Sequence, residues 1–418
     1  MPSIPPWDAR CRASDLPSGI SSLESSLGSI RPSWSRDRRR RSGGRNGGAR
    51  PSRRFERKTM RAVAVIPGKE NSAHLREVPD PAPNEREARV RVVEAGIDGT
   101  DREINAGLYG EAPEGESFLI LGYEALGRVE AVGAEVGEVS PGDWVVPTVR
   151  RPDGCPNCRL GEVDMCLWGK YKERGIKQRH GFFSDDFVER PEYLIKIPEA
   201  LRSVAVLLEP LSVAEKAIRQ AFRIQRRMYW APVKALVLGG GPIGLLSMLL
   251  CRLRDLETYV YDRDVPGSAT ARRVEETGAA FLSAQEQSVP DLARRVGRFD
   301  LIIESTGNSR VAFDAVCLVG NNGVLSLLGI YGGDRTLEVT AECIGLKLVL
   351  GNHLIFGSVN AHWTDFEAGL NDIDRVEQRW PGWLAKLITR RLPFDRFQEG
   401  MTKEKDDIKT LLEINPAV

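Results

Sequence analysis

The stretch VKALVLGGGPIGLLSMLL, residues 233–250, joins an apolar strand-like run to an apolar helix-like run through a cluster of glycines. Gly239, Gly241 and Gly244 stand in G-x-G-x-x-G spacing. In a strand–turn–helix unit the first glycine permits the tight turn, the second lets a pyrophosphate approach the backbone, and the third lets helix and strand pack closely. Pro242 and Ile243 open the helix, whose free N–H groups face the phosphates. The next strand-like run, ETYVYDRD, carries Asp262, 18 residues past Gly244. A carboxylate at about that distance bonds the adenosine ribose hydroxyls and repels a 2′-phosphate. Arg263 beside it offers a guanidinium to such a phosphate. The pair predicts NAD, with NADP left open.

Working outward, residues 209–226 read as a helix. Strands and helices then alternate over 233–238, 242–254, 258–261, 269–277, 301–304, 311–319 and 324–328, the pattern of parallel βαβ units. Before them, β-rich runs at 62–66, 88–95, 127–132, 143–147 and 193–197 alternate with Gly/Pro/Asp clusters, which fits a small β-barrel domain. The last sixty residues return to mixed character, with an amphipathic helix expected near 383–389. The fold class predicted is α/β: a β-barrel plus a doubly wound parallel sheet. The expected organisation is a basic tail over 1–59, a barrel domain over 60–211, a dinucleotide-binding domain over 212–357, and a return to the barrel domain over 358–418.

The chain has 418 residues, 41% hydrophobic and 28% charged, ordinary for a soluble globular protein and ample for a core. No apolar run approaches the 18 or so residues of a membrane span, and Arg252 stops the longest, 242–251. The net charge of +1 hides an asymmetry: 13 Arg and 1 Lys face 5 acids in residues 1–59, so 60–418 carries −8. An acidic body is a poor general nucleic-acid binder. The tail, rich in Pro, Ser, Gly and Arg, has little to bury and reads as disordered. It suits a nucleic-acid or anionic-surface tail, or a targeting peptide, but its five acids argue against the last. The plainest reading is a segment without function, or translation from Met60, where MRAVAVI begins strand-like alternation.

Three of the seven cysteines form GCPNCRLGEVDMC, a C-x2-C-x7-C array of Cys155, Cys158 and Cys166. Thiolates so spaced can surround one tetrahedral Zn²⁺, and Asp153 is a candidate fourth ligand, with Glu162 and Asp164 as others. The remaining cysteines are scattered, which suggests a reducing compartment and a cytoplasmic protein. Of the histidines, His74 and His362 read as surface groups and His180 as structural, while nothing demands a role of His353.

Residues 60–418 resemble the zinc-type medium-chain alcohol dehydrogenases, and within them the glucose 1-dehydrogenase branch known from archaea. The likeness is carried by GIDGTDREI (96–104), LGYEALGRVEAVG (121–133), GDWVVPTVRRP (142–152), the cysteine cluster, KERGI and HGF (172–182), YLIKIPEAL and LLEPLSVAEKAI (193–218), the glycine fingerprint, and GSVNAHWTDFEAGL (357–370). The resemblance implies a GroES-like catalytic barrel and a Rossmann domain. It implies oxidation of a sugar or polyol hydroxyl by hydride transfer to NAD(P), with zinc polarising the oxygen, in a homodimer or tetramer.

By the same likeness, Asp98, Tyr123, Glu124 and Glu209 occupy catalytic metal-ligand positions. Thr100, Glu173, Glu209 and Asn360 occupy sugar-contacting positions. Leu328, Gly329, Ile330, Ser358, Val359 and Asn360 line the coenzyme cleft. Two departures stand out. The usual Gly-His-Glu is Gly122-Tyr123-Glu124, and a phenol must lose a proton near pKa 10 to bind metal well. The usual first cysteine of the structural lobe is Pro152. Zinc through Asp98, Glu124 and Glu209, weak zinc through a Tyr123 phenolate, and a metal-free site with Tyr123 as general acid all stay open. So do two other functions: a zinc-independent carbonyl or enone reductase of the same fold, and a dinucleotide-binding protein without turnover.

Overall fold

The computed structural model describes residues 59–332 and 336–416; the expected disordered tail, but for Thr59, lies outside them. Barrel strands come first. Thr59–Val65 pairs antiparallel with His74–Pro79 and with Leu119–Ile120. A larger sheet runs in the order 194–197, 144–147, 124–132, 88–97, 409–413, 388–393, with Asp186–Glu189 also on the 88–97 strand. The Ala88–Ile97 strand earns its central place by composition: eight of its ten residues are buried.

The second layer system is a six-stranded parallel sheet in the order 280–283, 257–262, 234–238, 299–304, 319–327, 354–357. Lys234–Leu238 is its middle, buried over ALVL, and the chain reverses direction of strand addition there. Ligands of such sheets bind at that switch point. Helices Pro242–Leu253, Leu208–Gln225 and Trp363–Arg379 share one apolar core with it, which also takes in Trp144 and Ile195 of the barrel. The GroES-like barrel and the Rossmann sheet therefore pack through common side chains. Among the described residues no helix is long and apolar enough to cross a membrane.

The chain returns to the barrel sheet through Lys409–Glu413, antiparallel to Ala88–Ile97. The helix expected near 383–389 is not there. A single 3₁₀ turn, Leu384–Leu387, leads into the strand Ile388–Pro393, and the amphipathic helix lies earlier, at Trp363–Arg379. Pro381 and Gly382, the latter at φ 72°, end that helix, and β-branched Ile388 and Thr389 suit a strand.

Candidate active site and zinc lobe

The glycine fingerprint is built as its spacing requires. Gly239 has φ 109°, open to glycine at no cost. A Cβ on Gly244 would lie 1.9 Å from the Gly239 carbonyl oxygen, whereas one on Gly241 would meet nothing within 4 Å. The third glycine is thus needed for packing, and the second leaves an open approach at the start of the Pro242–Leu253 helix. Asp262 closes the turn: its carboxylate accepts from the Gly240 N–H (2.6 Å) and the Asp264 N–H (3.0 Å). Gly241, Asp262 and Arg263 line a hollow of about 330 Å³ together with Arg273 and Lys403.

A larger cavity of about 760 Å³ lies between barrel and sheet. From the barrel it receives Asp98, Thr100, Tyr123, Glu124 and Glu173; from the first turn of the Leu208–Gln225 helix, Glu209. From the coenzyme side come Ile243, Leu328, Gly329 and Ile330, and from the segment after the last parallel strand Ser358, Val359 and Asn360. Residues spread over 262 positions of the sequence meet in one space (Asp98 to Asn360).

Local hydrogen bonds place the barrel groups. Asp98 caps the Gly99–Asn105 helix and accepts from the Thr100 N–H (2.6 Å). Asp101, fully buried, accepts from the backbone of Asp98 and of Gly122, both at 3.0 Å. Gly122 has φ 87°, and a Cβ there would strike the Phe183 ring, so this glycine sets the direction of Tyr123. The Tyr123 hydroxyl donates to Thr100 Oγ1 at 3.4 Å. Burial, with Asp98 and Glu209 close by, pushes the phenol well above its ordinary range, so it keeps its proton at neutral pH. Burial, then Glu124 and Asp98, likewise pushes the Glu209 carboxyl up.

Sequence reasoning missed the partner of Glu124. Lys409 Nζ lies 2.6 and 2.7 Å from its two carboxylate oxygens, and both side chains are 1% exposed. Burial opposes the ammonium charge, but Glu124 and Asp98 outweigh it and raise its pKa. The signal was a lone lysine in the apolar run IKTLLEI, since a buried lysine needs a partner.

This departs from the metal set expected of Asp98, Tyr123, Glu124 and Glu209. Among the described residues, two groups of three or more His, Cys, Asp or Glu ligand atoms lie within 4.8 Å of one another, and neither includes those acids. Glu124 is engaged by an ammonium and Tyr123 is a neutral phenol, which leaves Asp98 and Glu209. A catalytic zinc needs three protein ligands, so this donor set does not fit one.

The cysteine lobe does fit zinc. Asp153, Cys155, Cys158 and Cys166 form one of the two groups. Cys155 Sγ accepts from the Cys158 and Leu167 amides at 3.4 and 3.3 Å; burial works against its thiolate, but these donors prevail and lower its pKa. Asp153 is thus placed where it could supply a fourth ligand beside the three sulfurs. Zinc there would cross-link the loop rather than take part in hydride transfer.

Of the histidines, His180 stacks on Phe118 at 4.9 Å and accepts from the Ile120 N–H. His362 is more than a surface group: it caps the Trp363–Arg379 helix and bonds the Gly161 carbonyl at 3.0 Å.

Barrel, parallel sheet, glycine turn and intervening cleft define the two-domain architecture of nicotinamide-dependent, zinc-type dehydrogenases. Residues 84–199 match the alcohol dehydrogenase GroES-like domain and residues 202–414 the glucose dehydrogenase C-terminus. Glucose 1-dehydrogenase of Methanocella arvoryzae is 44% identical over 85% of this chain and 99% of its own length, and that of Thermoproteus tenax is 40% identical over the same shares. The structure of Haloferax mediterranei glucose dehydrogenase with NADP, Zn and gluconolactone superposes with a TM-score of 0.79 at 34% identity, over 85% of this chain and 99% of that one. The chain belongs to the zinc-type medium-chain alcohol dehydrogenase family, in its glucose 1-dehydrogenase branch.

Proposed function

We propose that this protein oxidises the C1 hydroxyl of an aldose, glucose being the first candidate, by hydride transfer to NAD(P). The observation that carries the reading is the single cavity in which Ile243 and residues 328–330 of the coenzyme side face Thr100, Tyr123, Glu173, Glu209 and Asn360. Leu328, Gly329, Ile330, Ser358 and Val359 would hold the nicotinamide. Gly241, Pro242 and Ile243 at the helix N-terminus would hold the pyrophosphate, and Asp262 the adenosine ribose. Its carboxylate already accepts two backbone N–H groups, and Arg263 lines the same hollow, so NADP is used beside NAD.

In the cleft Glu173 and Asn360 hold sugar hydroxyls, and the Tyr123 phenol donates a hydrogen bond to the carbinol oxygen. Bound NAD(P)⁺ would accept the hydride of the carbinol carbon, and the hydroxyl proton would pass to Asp98, because Glu209, pushed up by burial, already holds a proton. An aldose gives its lactone, with two electrons on the coenzyme. Run backwards, a protonated Tyr123 serves equally as the acid of a carbonyl reductase, which is the second reading. The barrel domain spans 60–211 and 358–418, with 212–357 between them. The enzyme works as a homo-oligomer in the cytoplasm. The helix Ala341–Leu350, beside the edge strand Leu354–Gly357, exposes Leu346, Val349 and Leu350 for such contacts.

The test is a panel of aldoses, polyols and simple alcohols with NAD⁺ and with NADP⁺, followed by reduced-nicotinamide absorbance. Reduction with an aldose supports the reading. Turnover confined to carbonyls or enones with reduced coenzyme favours the second, and binding without any turnover overturns both.

A further inference from the structure

We infer that Lys216 is a positioning residue of the sugar site, holding the segment 357–362 against the cysteine lobe; the inference rests on the proposed role of Asn360. Lys216 belongs to the Leu208–Gln225 helix and its side chain is 2% exposed. Its ammonium lies 2.9 Å from Asp164 Oδ2, 3.3 Å from the Asp164 carbonyl and 2.8 Å from the Val359 carbonyl. A buried lysine costs free energy unless its donors are met, and all three contacts fall on two segments far apart in the chain. Asp164 sits in the lobe between Cys158 and Cys166. Val359 lies between Ser358 and Asn360, in the wall of the cleft.

The Val359 carbonyl belongs to the peptide that enters Asn360, and Asn360 is at φ 61°, a left-handed conformation that few non-glycine residues adopt. Fixing that peptide plane fixes the residue after it. Asn360 Nδ2 then reaches Glu173 Oε1 at 3.3 Å. The same Glu173 oxygen is held by Arg150, at 2.8–2.9 Å, and Arg150 also donates to the Asp164 carbonyl at 3.2 Å. Asp164 therefore anchors both sugar-site residues, Asn360 through Lys216 and Glu173 through Arg150. His362 ties the same two segments through the Gly161 carbonyl. Glu162, Asp164 and His362 converge within 4.8 Å, but both ring nitrogens of His362 are engaged, so the group acts as a clamp and not as a metal site.

Lys216→Met alone leaves the buried Asp164 carboxylate with only Arg219, 3.9 Å away, so the main variant is the neutral pair Lys216→Met with Asp164→Asn. Expected are a KM for the aldose raised about tenfold, a kcat within about threefold of wild type, and amide exchange over 357–362 faster by about tenfold. A lowered melting temperature with unchanged KM and unchanged exchange in that segment would overturn the inference. If the wild type turns over no aldose, the functional reading falls, while the exchange comparison still decides the role of Lys216.

Discussion

In the cysteine lobe, four donor atoms drawn from residues 153–166 face one another within 4.8 Å, with backbone amides steadying the sulfur of Cys155. In the cleft, Asp98, Glu124 and Glu209 come from three distant elements, and the cation among them is the ammonium of Lys409. One region is arranged to hold a metal; the other meets its negative charge with a side chain. Clustered acids alone do not make a metal centre: what decides is whether their lone pairs are already committed.

The largest effect that would break this contrast concerns the lobe. Cys158→Ser should drop bound zinc from about one to near zero per chain and lower thermal stability, since structural zinc contributes on the order of 10 kcal/mol in small domains. Metal analysis of dialysed protein checks it; full retention would place the zinc elsewhere. Next, Lys409→Met should destabilise by about 3–5 kcal/mol, because the buried Glu124 carboxyl loses the cation that it is paired with. The double variant with Glu124→Gln should recover much of that loss in urea unfolding. Tyr123→His should convert the cleft towards the lobe, raising zinc from about one to about two per chain; an unchanged ratio would show that the ligand count in the cleft is not what limits it.

The smallest effect gives a baseline from a buried acid outside both regions. Burial raises Glu215 to about 8 against the pull of Arg254. Its pKa is higher folded than unfolded, so its contribution is full below the unfolded value and is lost as pH rises towards 8. Glu215→Gln should flatten that fall in unfolding free energy between about pH 4.5 and 8. A parallel pair of pH curves would mean the group is ordinary.

Much of this was legible in the chain because its cause is local. The glycine turn, Asp262 and the cysteine array each sit within thirty or so residues, and spacing alone carries their geometry. The Lys409–Glu124 pair was not, because the two are separated by 285 positions and only sheet pairing brings them together. The misplaced terminal helix has a nearer cause: a run of mixed polarity over 383–389 was read by period, while Pro381 and Gly382 had already ended the helical stretch. The lining of the cleft by Glu173 and Asn360 came from family likeness, since neither residue has a local signature.

The Lys409–Glu413 strand lies between Ala88–Ile97 and Ile388–Pro393, so a late piece of chain fills an interior slot in the first-made layer. During synthesis the barrel must wait, one seam open, while the whole coenzyme-binding half emerges. Nascent Glu124 has no ammonium to meet until then. Premature release of the polypeptide near position 400 would therefore yield a normally hydrogen-bonded parallel sheet attached to an unclosed barrel, a species that chaperones rather than substrates would recognise.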